Sequence, residues 1–277
     1  METVDAGGAR IPKLGLGTWT LRGKACTALV ADAISAGYTH IDTARVYDNE
    51  AAVGEAIKVS GIARDKLFVT TKIWWTDLAP GRLEAVAAAS LGRLGLDYVD
   101  LLLIHWPNGE VPLAATMRAL NDVRRKGLTA HIGVSNFPTA VMAEAIAASE
   151  APLVANQVEY HPYLDQTKLL GQCRENGIAF VAYCPLYRSG GLLEEAPIRD
   201  AAERHGKSPA QIVLRWHVQQ DGIVAIPRTS RPERLSENAA IFDFWLSDAE
   251  MSAISGLRRP VRRLAENESP LPPSWDE

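Results

Sequence analysis

The chain has 277 residues, of which 47% are hydrophobic and 22% are charged, and its formal net charge is -4 with a pI near 5.9. An acidic chain has no general attraction for nucleic acid or anionic lipid, so neither is expected as a partner. The amino terminus lacks the basic and apolar regions of a secretory signal, and no segment has the apolar length of a membrane span. The three widely spaced cysteines suit a reducing compartment. We therefore expect a cytoplasmic protein, monomeric, with a small-molecule ligand.

Short apolar runs alternate with longer amphipathic stretches along the whole chain. The runs are rich in Val, Ile and Leu without polar alternation, which is typical of strands covered on both faces. Eight strands are predicted, at residues 14–18, 38–41, 67–71, 99–104, 130–134, 153–158, 179–182 and 223–226. Eight β/α units in a chain of this length predict a closed (β/α)8 TIM barrel. A short N-terminal hairpin is predicted at residues 4–11, closing the bottom of the barrel.

Periodicity and capping residues mark several of the intervening helices. Between residues 82 and 94, apolar side chains recur at helical spacing. Ser208 with Gln211, and Ser247 with Glu250, each form the sequence pattern of a capping box at a helix start.

An open doubly wound sheet is the main alternative to the barrel. Such a sheet usually binds a dinucleotide at a GxGxxG loop after its first strand, but Gly15 and Gly17 lack the third glycine. No P-loop, HExxH or paired CxxC motif occurs, so no metal site is expected. No linker or low-complexity segment divides the sequence, and we expect one domain over residues 1–277.

Four polar residues stand at or just beyond the ends of predicted strands, namely Asp42, Tyr47, Lys72 and His105. A charge at the end of a buried strand is costly unless something pairs with it. The carboxyl ends of parallel strands are also where ligands bind in α/β proteins. This pattern predicts one pocket that holds an acid, a phenol, an ammonium and an imidazole. Each residue has a structural alternative, as a buried ion pair, a packed aromatic or a core histidine.

Seven segments, in order along the chain, resemble the aldo-keto reductases. They are IDTARVYDNEAAVGEAI (41–57), TTKIW (70–74), LLLIHWP (101–107), IGVSNF (132–137), NQVEYHP (156–162), AYCPL (182–186) and IPRTSRPERLSENAAIFDF (226–244). The chain looks most like the bacterial 2,5-diketo-D-gluconate reductases of the shorter B type, whose tail shares the pattern at residues 272–276. The resemblance implies a (β/α)8 barrel that binds NADPH across its carboxyl face and reduces a carbonyl to an alcohol.

The resemblance also implies roles for the four polar residues. Hydride addition leaves an alkoxide, so a group must donate a proton as charge develops on the oxygen. Tyr47 is the expected donor, because a nearby cation favours the ionised form of a phenol. Lys72 would supply that cation and Asp42 would hold the lysine. His105 would orient the carbonyl oxygen through a hydrogen bond from a neutral ring.

A cofactor site is implied by the later segments. Ser135, Asn136 and Gln157 would bind the nicotinamide carboxamide, and Tyr183 would stack on the ring unless it is a core aromatic. The other expected cofactor residues are Gly17, Thr18, Asp42, Pro185, Leu186, Pro227, Arg228, Thr229, Ser230, Arg234, Glu237 and Asn238. Arg228 and Arg234, if they are more than surface cations, can fork onto a 2'-phosphate, so NADP(H) is expected in preference to NAD(H).

An aromatic rim is expected around the substrate. Trp19, Trp74 and Trp106 would form it, with Tyr47 and His105 beside the reacting carbonyl.

Two departures from the family pattern affect the cofactor loop. Cys184 stands where the family usually has serine and Tyr187 where it has glycine, so a weaker clamp over the cofactor is expected. The arginines of residues 258–263 either contact a substrate carboxylate or form a solvated surface.

These observations together predict NADPH-dependent reduction of a small aldehyde, a methylglyoxal-like dicarbonyl, or a keto sugar or keto acid such as 2,5-diketo-D-gluconate. Two alternatives remain. The barrel could bind NADP(H) as a sensing module without turnover, or Lys72 could act as the Schiff-base lysine of an aldolase.

Overall fold

A computed structural model of the chain describes residues 2–265 and 273–276. Pro272, the first residue of the predicted tail pattern, lies outside the described residues.

Eight parallel strands form the barrel, and an antiparallel pair precedes them. The strands are β1 (Thr3–Ala6), β2 (Ala9–Pro12), β3 (Leu16–Gly17), β4 (His40–Asp42), β5 (Phe68–Ile73), β6 (Val99–Ile104), β7 (Thr129–Ser135), β8 (Leu153–Glu159), β9 (Ala179–Tyr183) and β10 (Ile223–Ala225). From β3 to β10 each strand pairs with the next along the chain. The sheet closes because the Gly15 amide donates to the Ala225 carbonyl at 2.9 Å and the Ala225 amide donates to the Lys13 carbonyl at 2.8 Å. The predicted (β/α)8 barrel is confirmed.

All eight predicted strands are present, but their ends differ by a few residues. The first predicted strand, 14–18, is reduced to β3. Predicted strands 38–41 and 67–71 ended before Asp42 and Lys72, whereas β4 and β5 include these residues. The reason is that both polar residues keep the hydrogen-bond register of the sheet while their side chains face the barrel interior. Asp42 and Lys72 therefore project from rigid backbone rather than from loops.

Helices cover the outside of the barrel. The described α-helices are α1 (Gly23–Ser35), α2 (Glu50–Ser60), α3 (Arg82–Leu94), α4 (Leu113–Arg125), α5 (Thr139–Ala148), α6 (Thr167–Glu175), α7 (Ala196–His205), α8 (Pro209–Gln219), α9 (Glu233–Ala239) and α10 (Asp248–Ser255). Helix α3 has its predicted bounds, and both predicted capping boxes form, at Ser208 and Ser247. A membrane-crossing helix, long and apolar enough for a bilayer, is not found among the described residues.

The predicted hairpin is confirmed as the pair β1–β2, in which Val4 lies opposite Ile11. Its apolar side chains pack in one cluster with Phe68, Leu101 and Val154. Those three residues lie toward the amino ends of β5, β6 and β8. The hairpin therefore covers the bottom of the barrel, and the carboxyl ends of the strands are left as the open face.

Candidate active site

The carboxyl ends of the strands surround a cleft of about 420 Å³. Most of the predicted site residues line it. Those in the lining are Gly17, Thr18, Trp19, Asp42, Tyr47, His105, Trp106, Asn136, Gln157, Tyr183, Pro185, Leu186, Pro227, Arg228, Thr229, Ser230 and Arg234. Residues separated by more than 200 positions thus share one cavity because the strands that carry or precede them end at the same face.

A buried ion pair forms the floor of the cleft. The Nζ atom of Lys72, which is fully buried, donates to Asp42 Oδ1 at 2.5 Å and to the Thr43 carbonyl at 2.8 Å. The second oxygen of Asp42 accepts from Gln157 Nε2 at 2.7 Å. Burial lowers the pKa of Lys72, and the Asp42 carboxylate opposes that effect. The pair satisfies both charges and leaves the ammonium beside the next of the four polar residues predicted from the sequence.

That next residue is Tyr47. It ends a short 3-10 turn, Arg45–Tyr47, which follows β4. The Tyr47 hydroxyl lies 3.4 Å from Lys72 Nζ. Its ring meets the His105 ring edge-on, with centroids 5.6 Å apart. The phenol and the imidazole therefore meet in the lining, with the ammonium directly behind the phenol.

His105 follows β6 directly and is 7% exposed. Burial, and then the charge of Lys72, hold the pKa of His105 well below 6.5, so its ring is neutral at physiological pH. The Trp74 ring lies edge-on against it at 5.0 Å between centroids. A neutral imidazole can donate one hydrogen bond toward a ligand oxygen without adding a second cation to the floor.

A chain of hydrogen bonds joins the predicted carboxamide-binding residues. The Tyr183 hydroxyl donates to Asn136 Oδ1 at 2.8 Å, and Asn136 Nδ2 donates to Ser135 Oγ at 3.2 Å. Ser135 Oγ donates to the Gln157 carbonyl at 2.7 Å. Asn136, Gln157 and Tyr183 line the cleft, whereas Ser135 is buried behind them. The amides are thus held in fixed orientations before any ligand binds.

The other end of the cleft is cationic. Arg188, Arg228, Arg231 and Arg234 all line it, and Asp42 is the one acidic side chain in the described lining. Sequence reasoning missed Arg188 and Arg231, although Arg231 lies between two predicted residues in the segment 226–244. Four guanidiniums against one paired carboxylate favour a ligand with phosphate groups.

Gly17 lets the backbone of this region come close. A Cβ atom on Gly17 would lie 2.9 Å from the Ile226 carbonyl oxygen, a distance that real Cβ atoms essentially never show. Amides, guanidiniums and a close backbone approach in one cleft suit a ligand that carries both an amide and phosphate groups.

Five predicted site residues lie outside the lining. Lys72 and Ser135 stand behind it, and Trp74 packs on His105. Glu237 and Asn238 are on α9, where Glu237 accepts a hydrogen bond from Ser208 and Asn238 is buried. Of the expected aromatic rim, Trp19 is 36% exposed and Trp106 only 2%.

The loop after β9, which carries Tyr187, packs on the residues that follow β8. Tyr187 lies edge-on against His161 and Tyr163, with centroid distances of 4.7 and 5.0 Å. The large ring that replaces the family's glycine is therefore packed against the barrel top.

Two arginines of the segment 258–263 form ion pairs away from the cleft. Arg258 pairs with Asp165 at 3.3 Å, and Arg259 pairs with Glu195 at 3.2 Å. Arg258 and Arg259 thus form exposed ion pairs, as in the solvated-surface alternative. Among the described residues of the tail, Ala265 lines the cleft, and sequence reasoning gave no signal for it.

Comparison with known proteins agrees with this site. The sequence profile of the Aldo/keto reductase family matches residues 13–259. The chain is 43% identical over 256 residues to the glyoxal reductase of Bacillus subtilis (strain 168), covering 92% of each chain. It is 41% identical over 269 residues to the methylglyoxal reductase DkgB of Yersinia pestis, covering 96% of this chain and 99% of that protein.

Solved structures give the same result. The crystal structure of a candidate 2,5-diketo-D-gluconic acid reductase B superposes with a TM-score of 0.95 at 43% identity, over 100% of this chain and 98% of the other. An aldo/keto reductase from Brucella melitensis gives 0.87 at 42% identity, over 92% and 98%. The chain belongs to the aldo-keto reductase family and is an oxidoreductase.

Proposed function

We propose that the protein reduces small aldehydes and dicarbonyls to alcohols with NADPH, with Tyr47 as the proton donor. The observation that carries this proposal is the placement of the Tyr47 hydroxyl 3.4 Å from the buried Lys72 ammonium, in the lining of the cleft. When bound, the reduced nicotinamide supplies the hydride.

The side chains of this protein then manage the proton and the charge. As the carbonyl oxygen gains charge, Tyr47 gives it a proton, and Lys72 stabilises the phenolate that remains. Asp42 keeps the ammonium in place through the 2.5 Å contact. His105, neutral and buried, donates to the carbonyl oxygen and aims it at Tyr47.

The cleft lining divides between the two ends of the cofactor. Asn136 and Gln157 would hold the carboxamide, and Tyr183 would pack against the ring. Arg228 and Arg234 would bind the 2'-phosphate, so that NADPH is preferred over NADH. The family as a whole uses nicotinamide dinucleotides, and the cluster of guanidiniums is what supports the phosphorylated form here.

The substrate class follows from the cleft and from the relatives. A partly exposed Trp19 and a buried Trp106 present apolar surface beside the acid, which suits compact carbonyl compounds. Two relatives are named for glyoxal and methylglyoxal, and a structural neighbour for 2,5-diketo-D-gluconate. We propose dicarbonyls of this size, and keto sugars or keto acids, as substrates.

Replacement of the phenolic hydroxyl tests the acid assignment. The Tyr47→Phe variant is expected to fold normally and bind NADPH but to lose most reduction of methylglyoxal, a benzaldehyde and 2,5-diketo-D-gluconate. NADPH oxidation at 340 nm measures the rate on each substrate. Tyr98→Phe is the matched control, because Tyr98 directly precedes β6 at the amino end of the strand, contacts Arg64 and does not line the cleft. Near-normal turnover by Tyr47→Phe would remove the assignment.

A second experiment tests the cofactor preference. Replacing Arg228 and Arg234 together by alanine should lower the affinity for NADPH much more than the affinity for NADH, as measured by quenching of tryptophan fluorescence. An unchanged ratio of the two dissociation constants would contradict the proposed phosphate site.

The two alternatives give different results. A sensing module would bind NADPH tightly without oxidising it on any carbonyl tested. An aldolase would be trapped on Lys72 by borohydride, but the Lys72 amine is held by Asp42 and the Thr43 carbonyl below the lining. That burial favours the reductase.

A further inference from the structure

Asp77 is a buried carboxylate that is not one of the four predicted polar residues, and it contacts the turn that carries Tyr47. The side chain of Asp77 is only 1% exposed. Its Oδ1 atom accepts from Arg82 Nε at 2.8 Å. Its Oδ2 atom lies 3.3 Å from Arg45 Nε, an ion pair that does not have hydrogen-bond geometry. A buried carboxylate is strongly destabilising unless cations compensate it, so Asp77 favours conformations in which both arginines are within reach.

The ion pair between Arg45 and Asp77 connects two different loops. Arg45 begins the turn that ends at Tyr47, so the guanidinium and the phenol belong to the same three residues. Asp77 ends the turn Trp75–Asp77 that follows β5, and its amide donates to the Trp74 carbonyl at 2.9 Å. The Arg45–Asp77 ion pair therefore joins the loop that carries the acid to the loop that carries the Trp74 ring.

The other end of the Tyr47 turn is fixed independently. Thr43 Oγ1 donates to Asn49 Oδ1 at 2.6 Å, and Asn49 Nδ2 donates to the Thr18 and Leu21 carbonyls at 2.9 and 3.0 Å. These bonds tie the turn to the loop after β3. The contact with Asp77 ties it on the opposite side, toward β5, which is the strand that carries Lys72.

We propose that Arg45 and Asp77 are positioning residues that hold the Tyr47 hydroxyl against the Lys72 ammonium. This inference rests on the proposed role of Tyr47 as the proton donor. Arg45 and Asp77 are absent from the cleft lining, and they act on the reaction through the turn. A displacement of about 1 Å at a reacting group can cost on the order of 100-fold in rate, so loss of the ion pair reduces kcat while the binding of NADPH is retained.

Arg45→Ala is the main test, since the Arg45 side chain is already 36% exposed and its loss leaves Asp77 paired with Arg82. We expect kcat for methylglyoxal to fall about 10- to 100-fold, with the Kd for NADPH changed by less than about twofold because the cofactor residues are untouched. Arg45→Lys should recover part of the loss, because an ammonium can still reach the carboxylate. Asp77→Asn removes the charge from the other partner of the pair and should lower kcat as Arg45→Ala does, and an unchanged kcat in this variant would count against the proposal.

Arg22→Ala is the matched control. Arg22 pairs at 3.4 Å with Asp48, the residue directly after the Tyr47 turn, but both side chains are mostly exposed. Its removal should leave kcat within about twofold, since exposed ion pairs contribute little. An equal loss in Arg22→Ala and Arg45→Ala would show general loosening of the surface and would overturn the proposal.

A double-mutant cycle separates this inference from the proposed function. In the Tyr47→Phe background, Arg45→Ala should cause no further loss of kcat, because the positioned group is gone. A further loss as large as that in the wild-type background would overturn the positioning role. High activity in Tyr47→Phe alone would instead remove the acid assignment, whatever Arg45→Ala does.

Discussion

Replacement of Lys72 by methionine should destabilise the protein strongly, because it leaves Asp42 with no cation. Lys72 is fully buried and Asp42 is 2% exposed. In the variant, Asp42 Oδ1 loses its 2.5 Å contact while Oδ2 keeps the donor from Gln157. Methionine is similar in length to lysine, so the main change is the removal of the charge and its hydrogen bonds.

The expected cost is about 4 kcal/mol of unfolding free energy, within the range of about 3–5 kcal/mol found when one partner of a buried ion pair is removed. For a protein of this size, a loss of 1 kcal/mol lowers Tm by about 2–4 °C, so Tm should fall by about 10 °C. The double variant Asp42→Asn with Lys72→Met should recover at least half of the loss, because a neutral amide needs no counterion.

Urea unfolding followed by tryptophan fluorescence, and calorimetric Tm, measure these changes. Lys66→Met is the control, because Lys66 and Asp65 form an exposed pair at 3.8 Å that should be worth less than about 1 kcal/mol. A cost for Lys72→Met as small as that of Lys66→Met would refute the argument. So would a double variant that is no more stable than the single one.

Three further predictions concern packing and ionisation. Gly54→Ala should severely destabilise the fold, since its Cβ would lie 2.1 Å from a carbonyl oxygen of α3, whereas Gly92→Ala, with open space around it, should stabilise α3 by about 0.5–1 kcal/mol; similar Tm values for the two variants would contradict this. Burial and the charge of Lys72 keep His105 neutral. The pH profile of kcat/KM for the wild-type protein should therefore show no inflection near pH 6.5 from His105. An inflection there that is lost in His105→Gln would contradict this prediction. Burial raises the pKa of Glu250, but hydrogen bonds from its neighbours outweigh that effect and lower it from 4.5 to about 2. Because the folded pKa is lowered, the stability from Glu250 is present above about pH 4.5 and is lost as the pH falls toward 2. In Glu250→Gln, the urea concentration at the unfolding midpoint should therefore depend less on pH over this range. An unchanged pH dependence would contradict the prediction.

The architecture, and the convergence of Asp42, Tyr47, Lys72 and His105 at the carboxyl ends of the strands, could be predicted from the sequence because their signals are local. Apolar runs of strand length, capping boxes at Ser208 and Ser247, and a polar residue at the end of a strand all depend on a few neighbouring positions. Strand ends were less well predicted, because the sheet register carries β4 and β5 through Asp42 and Lys72. The seven segments added the family, which the comparisons confirm.

Contacts between distant loops depended on the tertiary structure. Arg45 pairs with Asp77 and Arg258 pairs with Asp165, but nothing in the local sequence of either arginine indicates its partner. The local sequence likewise does not indicate that Arg188 lines the cleft. Such contacts are decided by the paths of loops over the closed barrel and by which buried charges must be compensated there. Sequence alone determined that Asp42, Tyr47, Lys72 and His105 stand together at the open end of the barrel. The packing of the loops decided how those groups are held, because the partners of charged side chains such as Arg45 and Arg258 lie on loops that only the folded barrel brings together.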